Sequence, residues 1–421
     1  MFERHGLLRS DADFRTLWLG ETVLRLGSGL RNVAVPWLIL VLTGSPLSLG
    51  VSFTLLMTPD VLFSPVIGSA IDRHSRRWLM VLAAGLEGAV LLVLPIAEAV
   101  GVLSISIVYG VLVVLSLTGA LYHNAREALL PTIVADGRLD EANAAFYVGS
   151  TAVGIVFLAV GGVLTDRFGA VQTLLGAAAA AWTATPLLAI VSETPPPVAD
   201  EEGDARTSVR DCVADVRDAV RLIRGTVVRD VIAFGLVINV AVTPYKLLIA
   251  TIAYDEVAMA IAYAGLLAAF QVGSIVGNLG VDRLSFSRQH TYASGILTVG
   301  VVAVLVAVIG SVLAPIESLL PLAVLGVLLL GLGAAQPLFN VPSDSLVQVA
   351  ADDTDRGRVV TLTNAVLQVT FPIGYLAGGY LASVVSPFSV FGVSGAIMVV
   401  LGVLAFRRFV GTVDALSRST A

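Results

Sequence analysis

The sequence predicts an all-α integral membrane protein with twelve transmembrane helices in two six-helix bundles. Three observations lead there. Of the 421 residues, 57% are hydrophobic and only 13% charged, and the mean hydropathy is +0.91. A soluble domain of that length has too little polar surface to enclose so much apolar side chain. The apolar residues also recur in runs of about 20, the length a helix needs to cross the hydrocarbon core. Finally, a polar stretch near the middle divides these runs into two sets of six. The short alternating segments of an outer-membrane barrel are absent.

Taken in order, the runs centre near residues 28, 58, 88, 113, 153, 180, 241, 268, 299, 328, 370 and 396. This gives an N-terminal bundle over 1–192, a linker over 193–229, a C-terminal bundle over 230–410 and a tail over 411–421. The linker is first proline-rich and acidic. It then carries Val209, Val213, Val216, Val220 and Ile223 at helical spacing, the pattern of a short amphipathic helix on the membrane surface. Arginines set the orientation. The segments on one side hold 21 of them, from Arg4 to Arg418, and the loops on the other hold only Arg167. Positive residues collect on the cytoplasmic face, so both termini and the linker are expected there, in a multi-pass protein of the cell membrane. The start, "MFERHGLLRSDADFR", is charged and polar, so no signal peptide is expected.

Composition also excludes several functions. A net charge of −6 gives no footprint for a nucleic-acid partner. The single cysteine, Cys212, rules out an internal disulfide, and four scattered histidines offer no metal site. The one lysine, Lys246, follows Tyr245. A phosphate-binding loop needs a glycine before its lysine, so this chain alone is not an ATP-driven pump. A membrane-embedded transferase needs clustered His, Asp or Cys at a membrane face, and the sequence shows none. No enzyme activity is therefore expected.

Between the second and third runs stands "GSAIDRHSRR", residues 68–77. Orientation alone does not call for three arginines in so short a loop. Gly68, Asp72, Arg73, Arg76 and Arg77 fill the pattern G-x-x-x-D-R-x-x-R-R, which resembles the cytoplasmic 2–3 loop of the major facilitator superfamily. The shorter G-x-x-x-D-R is weak by itself, because "GVLTDR" at 162–167 also matches, in an outer loop. Longer stretches resemble the drug:proton antiporter branch that includes macrolide efflux proteins and the enterobactin exporter. These are the first run from "FRTLWLGETVLRLGSG", the 4–5 loop "HNAREALLPTIVADGRLDEANA" and the 10–11 region from "NVPSDSLVQ". Two departures stand out. Gly27-Ser28-Gly29 replaces a G-D-G common in relatives, and Ala84 and Glu87 align with an Asp and an Arg.

The resemblance implies the superfamily fold and secondary transport of a small-molecule substrate by alternating access. In that branch the reading is proton-coupled efflux of small hydrophobic or amphipathic compounds by a monomer, with the proton gradient as driving force and no cofactor. Import, lipid flipping and uniport on the same fold stay open, because fold fixes neither direction nor substrate. The resemblance further implies that the motif holds the cytoplasmic ends of the two halves together in the inside-closed state. A degenerate echo, "GNLGVDRLSFSR", places Asp282 and Arg283 in the second half. Gly68 is expected to permit close approach of another helix.

Charges inside lipid-crossing helices are costly and face an interior or water, which nominates further residues. Glu21 and Arg25 are four apart, share a face and can pair. Arg31 lies roughly 120° round the helix from Arg25; it either pairs structurally with a neighbouring helix or acts directly. Glu87 is mid-span with no cation within four residues, whereas Glu98 is expected at the outer rim. Asn239 and Lys246, seven apart, share a face beside Pro244, and interrupted helices often mark binding sites. Gln336 and Asn340 share a face near Pro337, and Asp60 sits between Pro59 and Pro65. Glu21 and Glu87 are the expected proton carriers, with Glu21 favoured because the first span lines the cavity in the superfamily. The alternative is that Glu21 only neutralises Arg25.

Overall fold

A computed structural model describes residues 6–135, 137–193, 227–281, 283–284, 286–316, 318–350 and 356–410. Asp282, the expected surface helix from Val209 to Ile223, the tail 411–421 and the side chain of Asp60 lie outside the described residues. Among those described, twelve helices are long and apolar enough to cross a bilayer. We number them α1 (Ala12–Thr43), α2 (Pro46–Arg73), α3 (Arg76–Ala99), α4 (Ile105–Ile133), α5 (Leu139–Phe168), α6 (Ala170–Ile190), α7 (Val227–Glu256), α8 (Ala260–Val281), α9 (Arg288–Leu313), α10 (Leu320–Ala350), α11 (Val359–Val384) and α12 (Pro387–Phe409). Every expected span centre falls inside one of them, and the described residues contain no strand.

Local chemistry sets the helix ends. The Asp11 carboxylate accepts from the Phe14 N–H at 2.9 Å at the start of α1. Ser45, Ser287 and Ser386 cap α2, α9 and α12 in the same way, with Pro46 and Pro387 in the first turn. At the close of α1, Gly44 adopts φ 58°, the left-handed conformation that favours glycine. Prolines interrupt two spans. Helix α7 breaks between Val242 and Tyr245, at Thr243-Pro244. Helix α10 breaks at Gln336, because Pro337 has no N–H to continue the ladder.

The chain divides into two compact units, Met1–Gly203 with Ala258–Ala264, and Asp204–Val257 with Gly265–Ala421. In the first, α1 packs mainly on α6 and α5, and α3 on α4 and α6. Its core includes Phe14, Leu17, Met80, Leu129 and Phe146, with the Phe14 and Phe146 rings edge to face at 5.3 Å. In the second, α9 lies along α12, and α7 along α11.

The "GVLTDR" stretch has a structural use that its weak pattern did not disclose. The first unit contains residues 258–264, the opening turn of α8. The Asp166 carboxylate accepts from the Ala260 and Ile261 N–H groups at 2.6 and 2.8 Å, satisfying two donors that a helix start leaves unpaired. Gly162 leaves room for that turn, since a Cβ there would fall 2.7 Å from the Ala264 Cβ.

Candidate functional site

The decapeptide at 68–77 folds as the end of α2, a turn, and the start of α3. Two of its three arginines are used within the first unit. Arg76 Nη1 donates to the Ala128 carbonyl of α4 at 3.0 Å, and Arg77 Nη1 to the Val191 carbonyl after α6 at 3.1 Å. One carboxylate completes the brace. Glu193 accepts from the Arg76 N–H at 2.8 Å, from the Arg77 N–H at 3.2 Å, and from the Ser75 hydroxyl. It is a negative charge on the positive end of α3, supplied from beyond α6. Asp13 then receives the neighbouring Ser192 N–H at 2.9 Å.

Asp72 and Arg73 are exposed, and neither side chain makes a hydrogen bond or ion pair with a described residue. The close approach expected at Gly68 is not made, because a Cβ there would meet nothing within 4 Å. Arg283 is exposed in a turn. Sequence reasoning missed Glu193, because capping from another helix leaves no local spacing pattern. Glu193→Ala is expected to lower stability by about 1–2 kcal/mol, the usual cost of a lost helix cap. The melting temperature of the purified protein checks this. No change would show that Arg76 and Arg77 hold the loop unaided.

A second group of charges lies inside the first unit. Glu21 on α1 is 2% exposed. One of its oxygens accepts from Arg25 Nε at 2.8 Å, as the four-residue spacing predicts. The other oxygen is buried beside the equally buried hydroxyl of Tyr122 on α4, and the two side chains interact in less than ideal hydrogen-bond geometry. Tyr122 lies within electrostatic reach of Glu21, Arg25 and Arg126. Arg126 in turn lies 5.2 Å from the Phe146 ring centre. Arg31 pairs with Glu87 across α1 and α3. Glu87, which has no cation within four residues along the chain, is thus paired from another helix, 56 residues away, as one of the two readings of Arg31 expected. Glu98 is exposed, as expected, and receives a hydrogen bond from Gln172 at 3.0 Å.

The second unit holds a pocket of about 260 Å³, lined by polar and apolar side chains. It adjoins a further hollow of about 200 Å³, with Ser343, Asp344 and Asn364 lining both. Asn239 from α7, Asn340 from α10 and Gln368 from α11 contribute amides. The Asn239 amide group donates to the Leu367 carbonyl at 3.3 Å, which leaves its own carbonyl oxygen facing other partners. Phe339, Phe371 and Tyr292 supply an aromatic wall.

Helical sequence with charges in its interior, an arginine-braced 2–3 turn and two units of apolar helices agree with one further finding. The sequence profile of the Major Facilitator Superfamily matches residues 17–351. The chain belongs to this superfamily.

Relatives in the superfamily carry transport names. The multidrug efflux pump Tap of Mycobacterium tuberculosis (strain ATCC 25618 / H37Rv) is 25% identical over 393 residues, covering 90% of each chain. The enterobactin exporter EntS of Citrobacter koseri is 26% identical over 409 residues, covering 95% of this chain and 92% of its own. Among solved structures, the nucleoside transporter NupG aligns with a TM-score of 0.69 at 13% identity, over 94% of this chain and 98% of that one. A bacterial homologue of the iron transporter ferroportin, in an inward-facing state, aligns with a TM-score of 0.67 at 16% identity and the same coverage. These structures establish the superfamily fold, and the protein is a multi-pass membrane transporter of small molecules.

The candidates of the second half are partly separated by this fold. Asn239 and Asn340 meet in the pocket, whereas Lys246 and Gln336 do not line it. The break at Thr243-Pro244 falls between Asn239 and Lys246, so the continuous face expected of an unbroken helix is lost. Lys246 is exposed and makes no ion pair with a described residue. Asp344, Asn364 and Gln368 went unrecognised. Asp344 carried a usable signal, since it follows Asn340 by four residues on one helix face.

Proposed function

We propose that this transporter exports small hydrophobic or amphipathic compounds across the cell membrane in exchange for protons. It works by alternating access, as a monomer with both termini in the cytoplasm. The observation that carries this reading is the state of Glu21. It is a carboxylate buried in a lipid-crossing helix, tied to the cation Arg25 through one oxygen, with the neutral hydroxyl of Tyr122 beside it. Buried ionisable groups in membrane helices commonly mark ion or proton paths. A proton can bind the oxygen that Arg25 does not hold and weaken the hold on Arg25. Deprotonation restores it, giving two charge states that substrate can discriminate. The arginine distribution supports the orientation. The names of Tap and EntS, a pump and an exporter, support outward transport.

Cells expressing the protein are expected to tolerate some members of a panel of lipophilic and amphipathic compounds better than cells without it. In liposomes, movement of the most affected compound is expected to be matched by proton movement in the opposite direction. Glu21→Gln is expected to abolish the proton movement and return tolerance to the level of cells lacking the protein, while downhill exchange of the compound persists. Tolerance unaltered across the panel would rule against export. Proton movement retained in Glu21→Gln would exclude Glu21 as the carrier.

A further inference from the structure

We propose that the pocket around Asp344 is a binding subsite for a small organic ammonium group attached to an apolar body. The site lies wholly among helices α7, α9, α10 and α11 of the second unit. Four features specify its ligand. Asp344 presents a carboxylate that makes no hydrogen bond or ion pair with a described residue. Asp344 is exposed, so its carboxylate is open to a cation that enters the hollow. Around it stand neutral oxygens from Asn340, Ser343, Asn364 and Gln368, which accept the remaining N–H groups of an ammonium without adding charge.

Tyr292 gives an independent pointer to a ligand. The residue is 1% exposed and lines the pocket, yet its hydroxyl has no hydrogen-bond partner among the described residues. A buried hydroxyl left so is costly until something fills the pocket beside it. The aromatic wall of Phe339, Phe371 and Tyr292 then fits an apolar body and favours a cation near the rings.

The charge argues for an organic ion rather than a metal. A hard divalent cation takes six or more oxygen ligands, with carboxylates prominent in protein sites, and among the described residues no group of three or more His, Cys, Asp and Glu is close enough to hold one. One carboxylate with amides and aromatic rings matches a monovalent, amphipathic cation. The subsite gives the proposed export a substrate class, and it rests on that reading only for its physiological meaning. Binding is measured on the purified protein in detergent, so failure of export and failure of the subsite remain separable.

Equilibrium dialysis with radiolabelled 2-phenylethylammonium tests the site directly. The protein is expected to bind this cation and to bind the neutral 2-phenylethanol at least about tenfold more weakly, the worth of one charge-assisted hydrogen bond. Asp344→Asn is expected to lose that preference with no change in melting temperature, and Asp344→Glu to keep it. Asn364→Lys, which sets a fixed cation beside the carboxylate, is expected to abolish binding. Equal binding of the cation and the alcohol would overturn the proposal, as would undiminished binding in Asp344→Asn. Displacement by sodium or magnesium at concentrations equal to the probe would assign the site to an inorganic cation instead, and so also overturn it.

Discussion

Gly300→Leu is expected to yield no folded protein. Gly300 on α9 and Gly395 on α12 face each other in the most extensive helix contact of the second unit. A Cβ on Gly300 would fall 2.6 Å from the Val399 nitrogen and 2.9 Å from the Gly395 carbonyl oxygen. A Cβ on Gly395 would fall 2.8 Å from both the Gly300 oxygen and the Val304 nitrogen. In lipid, apolar surface gains little by leaving its surroundings, so helices associate through close van der Waals contact between small residues. The obstructing atoms here are backbone, which has no rotamer to change. The cost therefore exceeds the roughly 1–3 kcal/mol of ordinary overpacking, which flexible side chains can absorb. The matched control is Gly326→Leu on α10, where an added Cβ meets nothing within 4 Å. Size-exclusion profiles of detergent-extracted protein are expected to show a monodisperse peak for the control and none for Gly300→Leu. A folded Gly300→Leu protein would mean that α9 and α12 can separate without loss of the fold.

The span pattern was legible in the sequence because bilayer thickness is an external ruler: any helix that crosses must supply about 20 apolar residues. The interruption at Pro244 was legible for a similarly local reason, since proline cannot donate to the helix ladder, but the one at Pro337 was not expected, and Pro36, Pro131 and Pro186 lie inside unbroken helices. The Glu21–Arg25 pair followed from one turn of helix geometry. Partnerships between helices did not follow. Arg31 finds Glu87 only because α1 and α3 face each other at those depths. Glu193 reaches α3 only because α6 ends beside it.

The motif at 68–77 shows the same limit from another side. Its residues were recognisable as a pattern, yet the contacts described belong to Arg76 and Arg77, which tie α3 to the ends of α4 and α6. The pattern identified a loop, and packing decided which of its side chains found partners. Asp344 is the converse case. Its one-turn spacing from Asn340 was available, but the significance of that spacing appears only when α11 brings Asn364 and Gln368 alongside.

Either single disruption of the Arg31–Glu87 pair is expected to be severe, while removal of both charges together is expected to be tolerated by the fold. The two side chains are only 23% and 15% exposed, in helices that lie in lipid. Removing one partner strands the other as an uncompensated charge. In buried pairs this costs about 3–5 kcal/mol, far more than the net worth of the pair, because each ion has already given up its hydration. Glu87→Leu and Arg31→Met alone are therefore expected to lower the melting temperature sharply and reduce the amount of protein in the membrane. The double variant, with apolar groups of similar volume, leaves no stranded charge, and its stability is expected to return close to that of the parent. That recovery also separates the two roles which the sequence left open for Arg31. A stable double variant that still transports would make the pair a structural brace between α1 and α3. A stable double variant that has lost transport would place these charges on the path of substrate or protons. If the double variant is as unstable as the singles, the two residues do not act as a pair, and the contact between α1 and α3 depends on each of them separately.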